Sequence, residues 1–93
     1  MDKELKELIR KAAEILKEAG AREVYLFGSA ARGTPRQDSD IDLAVSGLPA
    51  EKFFQAMGQA ADILQRPLDL VDLDEDNLFT QYLKEEPELQ IVR

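Results

Sequence analysis

The chain has 93 residues, of which 44% are hydrophobic and 33% are charged, so it suits one folded globular domain, 1–93, and neither a disordered nor a fibrous class. The net charge of −7 argues against free nucleic acid and anionic membrane surfaces as partners, because both are bound mainly by basic residues. The absence of Cys and His excludes thiol nucleophiles, zinc fingers and imidazole bases, which leaves carboxylates, hydroxyls, Lys, Arg or a metal ion for any catalysis.

The first segment, residues 2–19, is predicted to be an amphipathic helix. Its apolar residues recur at helical spacing, and Gly20 follows as a stop signal. The amino end is charged throughout, and no part of the chain approaches the apolar length of about 18 residues that a membrane span needs. We therefore expect a cytoplasmic protein without a signal peptide or a membrane span.

Two strands and a second helix are predicted next. Residues 23–27 and 41–45 are rich in β-branched, aromatic and aliphatic side chains, and each run ends at a Gly/Ser pair, which is typical of buried strands. A helix begins at Leu48-Pro49 and is broken by Pro67. Gly58 inside this helix costs about 1 kcal/mol relative to Ala.

The last third of the chain predicts a third strand at 68–72 and a short helix at 77–84. The acidic run between them, 72–76, is interpreted as a solvated loop leading into the helix N-terminus. Residues 88–93 form either an edge strand or a frayed end.

The connections predict an α/β (α+β) fold with a small mixed sheet of three to four strands flanked by helices. Roughly a dozen residues join the first two strands, which favours antiparallel pairing, whereas the long helical link to the third strand suits a parallel crossover. The end of the first strand and the starts of the second and third then meet at one edge of the sheet.

Two carboxylates fall at that edge. Asp40 and Asp42 are separated by one residue on a strand, so they share a face with Cα atoms about 6.5–7 Å apart. Two such charges at about 4 Å repel by about 4 kcal/mol at an effective dielectric constant near 20, and a divalent cation would offset this cost. Ligation by carboxylates alone suits Mg²⁺ or Mn²⁺.

Three further residues are placed at the same edge. Gly28 allows close approach of the backbone, and Ser29 supplies a hydroxyl at the start of a turn or short helix, as a triphosphate requires. Asp69 alternates with Leu68 and Leu70 along its strand, so it can face the same cleft as Asp40 and Asp42. A third carboxylate there could complete a second metal site and accept a proton from an attacking hydroxyl.

Three common kinds of motif share parts of this pattern. A lone Asp-x-Asp pair is most often a turn former or solvated surface. An EF-hand is excluded at 38–49, because Leu43 stands where glycine is required and Pro49 where the bidentate Glu belongs, and the acidic run 72–76 fails similarly. A Walker A loop is excluded because Thr34-Pro35 stands where Lys followed by Ser or Thr is needed.

The end of the chain carries many apolar groups for so small a fold. An exposed patch there would serve a partner. The residues concerned are Phe79, Tyr82, Leu89, Ile91 and Val92.

The segment LFGSAARGTPRQDSDIDL at 26–43 closely resembles the signature of the DNA polymerase beta-like nucleotidyltransferases, specifically the minimal nucleotidyltransferase (MNT) family of prokaryotes. That signature is Gly-Ser, ten residues and Asp-x-Asp. The resemblance implies the nucleotidyltransferase fold, with ATP phosphates at Gly28 and Ser29. It also implies catalytic Mg²⁺ on Asp40, Asp42 and Asp69, with two ions possible and Mn²⁺ as a substitute.

The resemblance further implies transfer of a nucleoside monophosphate to a hydroxyl, with release of pyrophosphate. Family members of this size commonly pair with a helical HEPN-family protein as a toxin–antitoxin module, and some attach AMP to a tyrosine of that partner and silence its RNase activity. The larger kanamycin-type enzymes carry a further helical domain that shapes an acceptor pocket; without it, we expect another protein to supply the acceptor. A homo-oligomer is also compatible with the sequence.

Two hypotheses remain at this point. In the first, the chain is an ATP- and Mg²⁺-dependent enzyme that transfers AMP to a protein hydroxyl, a tyrosine of a HEPN toxin. In the second, it is an antitoxin that neutralises a helical partner by occlusion, and turnover is irrelevant. Arg32 and Arg36 either neutralise the triphosphate or pair with nearby acids.

Overall fold

Four helices and four strands make up most of the computed structural model, which describes residues 2–33, 40–85 and 89–93. In chain order they are α1 (Lys3–Glu18), β1 (Glu23–Phe27), α2 (Gly28–Ala31), β2 (Ile41–Ser46), α3 (Ala50–Leu64), β3 (Leu68–Asp72), α4 (Leu78–Glu85) and β4 (Gln90–Ile91). The predicted α/β (α+β) class is confirmed. Within the described ranges, no helix combines the length and the apolar character that crossing a bilayer requires.

The strands form one mixed sheet in the order β3-β2-β1-β4. β1 pairs antiparallel with β2, and β2 pairs parallel with β3, as the lengths of the connections predict. β4 adds antiparallel to the free side of β1, so the end of the chain is an edge strand. The sequence alone did not distinguish an edge strand from a frayed end, because a strand of two residues has too few positions to show an alternating pattern.

Helix α1 covers one face of the sheet together with α3. Asp2 caps the start of α1 by accepting a hydrogen bond from the backbone N–H of Glu4, at 3.1 Å. The apolar stripe of α1 packs against α3 and against alternate residues of the central strands. The largest fully buried side chains of this main core are Leu16, Val24, Ile41, Leu43, Val45 and Leu64.

The opposite face of the sheet carries a smaller apolar cluster and, beside it, the candidate site. Phe27 and Ala44 pack there with Leu73 and with Leu83 of α4. Because side chains alternate between faces along a strand, Asp42 shares this second face with Ala44. The split leaves α1 and α3 on the side of the sheet away from the site.

Helix α4 begins one residue later than the pattern predicted. Asn77 caps the helix: its Oδ1 accepts from the N–H of Thr80 at 2.9 Å, and Thr80 Oγ1 accepts from the N–H of Asn77 at 3.2 Å. This reciprocal pair keeps Asn77 outside the helix. Thr80 is buried and also donates to the carbonyl of Glu75, which fixes the loop before α4.

Candidate functional site

The residues singled out from the sequence meet at the edge where β1 ends and where β2 and β3 begin. In the sheet register, Phe27 lies opposite Asp42, and Asp42 lies beside Asp69. Asp40 immediately precedes β2, two residues before Asp42. Asp42 is therefore central, with one carboxylate on the neighbouring strand and another two residues earlier on its own.

Electrostatics distinguish Asp42 from a solvated surface acid. It is half-buried, whereas Asp40 and Asp69 are exposed. Burial raises the pKa of the Asp42 carboxyl, the negative charges of Asp69 and Asp40 raise it further, and the positive charge of Arg32 opposes the change. The ionised form of Asp42 is thus held in surroundings that disfavour it, and a bound cation would relieve this.

Gly28 lies directly against Asp42 at this edge of the sheet. Its φ is +73°, and a Cβ at this position would overlap Oδ2 of Asp42 and lie 3.1 Å from its Cγ. The backbone that follows β1 therefore passes directly against the Asp42 carboxylate, an approach that a residue with a side chain would prevent.

Ser29 lies next to Gly28 in the single turn of α2 and is half-buried. The turn continues to Arg32, whose N–H bonds to the carbonyl of Gly28 at 3.3 Å. Gly28, Ser29 and Arg32 thus lie on one compact turn facing the start of β2. Asp38, Ser39 and Arg36 fall outside the described residues.

A divalent metal suits this edge by the chemistry of its donors. The three predicted ligands are carboxylates, and Asp42 carries an electrostatic cost that a cation would remove. In the described part of the chain, however, no group of three or more such side chains is gathered closely enough to hold an ion as it stands. The fold brings the carboxylates to one edge, but a metal site would require their side chains to converge.

The acidic run 72–76 is mostly solvated, as expected: Asp74, Glu75 and Asp76 are exposed, whereas Asp72 is half-buried at the end of β3. Asp72 Oδ1 accepts from the N–H of Asp74 at 2.9 Å, and Asp74 Oδ2 accepts from the N–H of Gly47 at 2.7 Å. These carboxylates organise the turn between β3 and α4 and tie it to the end of β2.

A groove near the site was not predicted from the sequence. It lies between the first turns of α3, the second half of β3 and the start of α4, with a volume of about 650 Å³. Phe79 at its wall contacts the ring of Phe27 edge-on, with the ring centroids 6.4 Å apart, and so connects the groove to the end of β1. The sequence signals were Phe54 and Leu78, apolar residues outside the buried stripes of their helices.

The predicted apolar patch near the chain end is only partly exposed. Phe79, Tyr82 and Ile91 are exposed, as expected for a contact surface. Leu89 and Val92 are instead half-buried and pack against the two core clusters, because β4 pairing draws them onto the sheet.

Comparison with known proteins defines the class. The family model described as "Polymerase beta, Nucleotidyltransferase" matches residues 4–89. The chain therefore belongs to this family and is a nucleotidyltransferase, as the signature at 26–43 predicted. A "Putative protein adenylyltransferase" of Methanocaldococcus jannaschii is 36% identical over 72 residues, which cover 73% of this chain and 84% of that protein.

Solved structures give the same fold. A chain described as a "putative minimal nucleotidyltransferase" matches with a TM-score of 0.74 at 24% identity, covering 100% of this chain and 96% of that chain. A toxin–antitoxin crystal structure with AMP-PNP matches with a TM-score of 0.64 at 31% identity, over 74% of this chain. A tri-AMPylated HEPN toxin of Shewanella oneidensis in complex with MNT antitoxin matches at 0.59 and 26%, over 78% of this chain. This chain spans 60% and 59% of the matched chains in these two assemblies.

Proposed function

We propose that this chain, acting as one domain over 1–93, transfers AMP from ATP to a protein hydroxyl with the help of Mg²⁺. The observation that carries the proposal is the register of the sheet, which sets Gly28 against Asp42 and Asp42 beside Asp69. The match to a named adenylyltransferase supports AMP as the transferred group.

The roles follow from position. Asp40, Asp42 and Asp69 would hold Mg²⁺, one or two ions, with Mn²⁺ as a substitute; the metal supplies positive charge against the triphosphate. Gly28 and Ser29 would receive the phosphates, since glycine lets the backbone approach closely and the serine hydroxyl can donate a hydrogen bond.

The reaction is an in-line substitution at phosphorus. The acceptor hydroxyl oxygen attacks the α-phosphorus of ATP, the bond from that phosphorus to the bridging oxygen breaks, and pyrophosphate leaves. Asp69, on the strand next to Asp42, would accept the hydroxyl proton. The product is a phosphodiester between AMP and the acceptor.

We propose that the acceptor is a tyrosine of a helical HEPN toxin in the cytoplasm, for which this chain is the antitoxin. Support comes from the match to a chain of the complex in which a tri-AMPylated HEPN toxin was solved with MNT antitoxin. The −7 net charge is also compatible with a protein partner rather than nucleic acid.

The test is AMP transfer from α-labelled ATP with Mg²⁺ to the co-encoded helical partner, followed by intact mass of the partner. We expect label and a mass gain of one or more AMP units. Asp42→Asn should reduce transfer to background, because it removes the central carboxylate. Asp62→Asn, which removes the same charge from an exposed position on α3, should leave transfer unchanged. Transfer at full rate by Asp42→Asn would refute the assigned site.

A second candidate is neutralisation by occlusion, without turnover. One observation favours it: a large apolar groove lies open beside the site. In that case Asp42→Asn would still form the complex and still protect cells from the toxin. Loss of protection while the complex persists would reject occlusion.

A further inference from the structure

The groove beside the site runs along an open sheet edge. β3 is the last strand of the order β3-β2-β1-β4, and no strand of the described residues lies beyond it. The carbonyl of Pro67 accepts from Ile41, and the N–H of Leu73 donates to Val45, so odd-numbered residues of β3 bond to β2. The backbone groups of Leu68 and Leu70 consequently point away from β2, towards the open edge.

Apolar side chains flank this edge on both sides. Phe53 and Phe54 at the start of α3 stand on one side, with ring centroids 5.4 Å apart, and Leu78 and Phe79 at the start of α4 stand on the other. Phe54, Leu78 and Phe79 are 75%, 84% and 50% exposed. Such a set of large apolar side chains around one depression of about 650 Å³ marks a contact surface.

We propose that this groove binds an extended segment of a partner protein, which adds as a strand to the edge of β3. Side chains of an added strand alternate between its two faces. Alternate residues of the segment would then meet Phe53 and Phe54 on the side of α3 and Leu78 and Phe79 on the side of α4. The segment is therefore apolar on both faces, unlike an amphipathic helix, and its backbone amides pair with β3.

Charge selects the partner over a second copy of this chain. Asp72 and Glu75 line the groove, and none of the described residues that line it is basic. A two-fold pairing of two such edges would bring the acids of both copies together, in a chain of net charge −7. A segment with Lys or Arg on either side of its apolar stretch complements these acids instead.

The groove lies close to the candidate site along β3. β3 carries Asp69, two residues or about 6.6 Å along the strand from Val71 in the groove. The inference rests on the proposed function in one respect: the segment is taken to belong to the acceptor protein. Binding of the segment to β3 does not itself require AMP transfer. An added strand of a few residues would bring the partner chain alongside the candidate site.

The test is direct binding of a fluorescein-labelled peptide with the core Val-Ile-Val-Phe and two lysines at each end, measured by anisotropy with the full chain and no ATP. We expect saturable binding that weakens as salt rises. Phe54→Ala and Leu78→Ala should each weaken it about tenfold. Ile91→Ala removes an exposed apolar side chain from β4, at the far end of the sheet, and should leave affinity unchanged.

Strand addition has its own signature. N-methylation of alternate peptide amides should abolish binding, while methylation of the intervening amides should be tolerated. Equal affinity for a glutamate-flanked peptide, indifference to Phe54→Ala and Leu78→Ala, or indifference to N-methylation would each overturn the proposal. A concentration-dependent doubling of mass that Leu78→Lys abolishes would do so too, because the occupant would be a second copy.

The peptide contains no hydroxyl acceptor, so failure of AMP transfer leaves this measurement intact. Asp42→Asn should bind the peptide as tightly as the unmodified chain. Conversely, transfer to the partner that persists undiminished in a Phe54→Ala, Leu78→Ala double variant would retain the proposed function and reject the groove as the docking site.

Discussion

Asp42 and Gly28 show at the scale of single residues how the site is built. The carboxylate of Asp42 lies where a Cβ on residue 28 would have to be, and the φ of +73° at Gly28 is one that L side chains rarely adopt. The conformation therefore favours glycine there, and a side chain at this position would have to displace the Asp42 carboxylate. Asp42 in turn stays half-buried next to two other acids. This placement of an ionised carboxylate contributes nothing to the stability of the fold.

Gly28→Ala tests whether the close approach or only the backbone conformation matters. Gly33 is the matched control, because its φ is +77° but a Cβ there would have nothing within 4 Å. We expect both variants to lose about 1–2 kcal/mol of unfolding free energy from the left-handed conformation, measured by urea denaturation. Gly28→Ala should additionally lose AMP transfer, since its methyl displaces Asp42. Equal transfer by the two variants would contradict this assignment.

Asp42→Asn should stabilise the protein when divalent metal is removed. The pKa of Asp42 is raised in the folded state, first by burial and then by Asp69 and Asp40. Its ionised form therefore opposes folding above the folded pKa, and this cost disappears as the pH falls below the ordinary value near 3.8. In EDTA at pH 7 we expect a higher Tm than for the unmodified chain, with a gain that shrinks towards low pH.

The control is Asp62→Asn, which changes the formal charge equally at an exposed position. A lower Tm for Asp42→Asn in EDTA would show that the carboxylate stabilises the fold and would remove the electrostatic argument for a cation there. Added Mg²⁺ should raise the Tm of the unmodified chain and not that of Asp42→Asn.

Among the elements, the strands position the candidate site residues, and the helices stabilise the sheet by packing against it. β2 carries Asp42 on one face and the buried Ile41, Leu43 and Val45 on the other, so the site is anchored on a strand fixed by the core. α3 serves a double role: Ala56, Ala60 and Leu64 are buried, while its first turns present Phe53 and Phe54 to the groove.

Gly58 in α3 is a position where the helix can be improved. The residue is exposed, and a Cβ there would have nothing within 4 Å. Gly58→Ala should therefore raise the free energy of unfolding by about 1 kcal/mol, which for a domain of this size raises Tm by about 4–8 °C. Gln59→Ala, the neighbouring exposed position, is the control and should change little, because Gln is already a good helix former. A loss of stability in Gly58→Ala would mean that the backbone of α3 needs glycine.

In the molecule as a whole, the two faces of the sheet have different roles. The face covered by α1 and α3 contains the main core, and the other face contains the site with the smaller cluster under α4. Much of the negative charge is concentrated in two places: the carboxylates at the strand edge and the acidic run 72–76. The negative charge is therefore concentrated where it would attract a metal cation or a basic segment of a partner.

Local patterns in the sequence are enough to predict most of the elements and to single out the residues of the candidate site. Helical and strand periodicities are local, so α1, β1, β2, α3 and β3 could be predicted within a few residues, and the Gly-Ser and Asp-x-Asp pairs mark the strand ends whatever packs around them. Connection lengths sufficed for the mixed pairing of the first three strands.

Contacts between distant parts of the chain fix most of the remaining features. The register between β2 and β3 sets Asp69 beside Asp42, the reciprocal bonds of Asn77 and Thr80 fix where α4 begins, and β4 pairs with β1. The groove likewise exists only because the starts of α3 and α4 flank the open edge of β3. Each of these rests on contacts between segments far apart in sequence or on a few side-chain bonds, and neither leaves a periodic signal in the sequence.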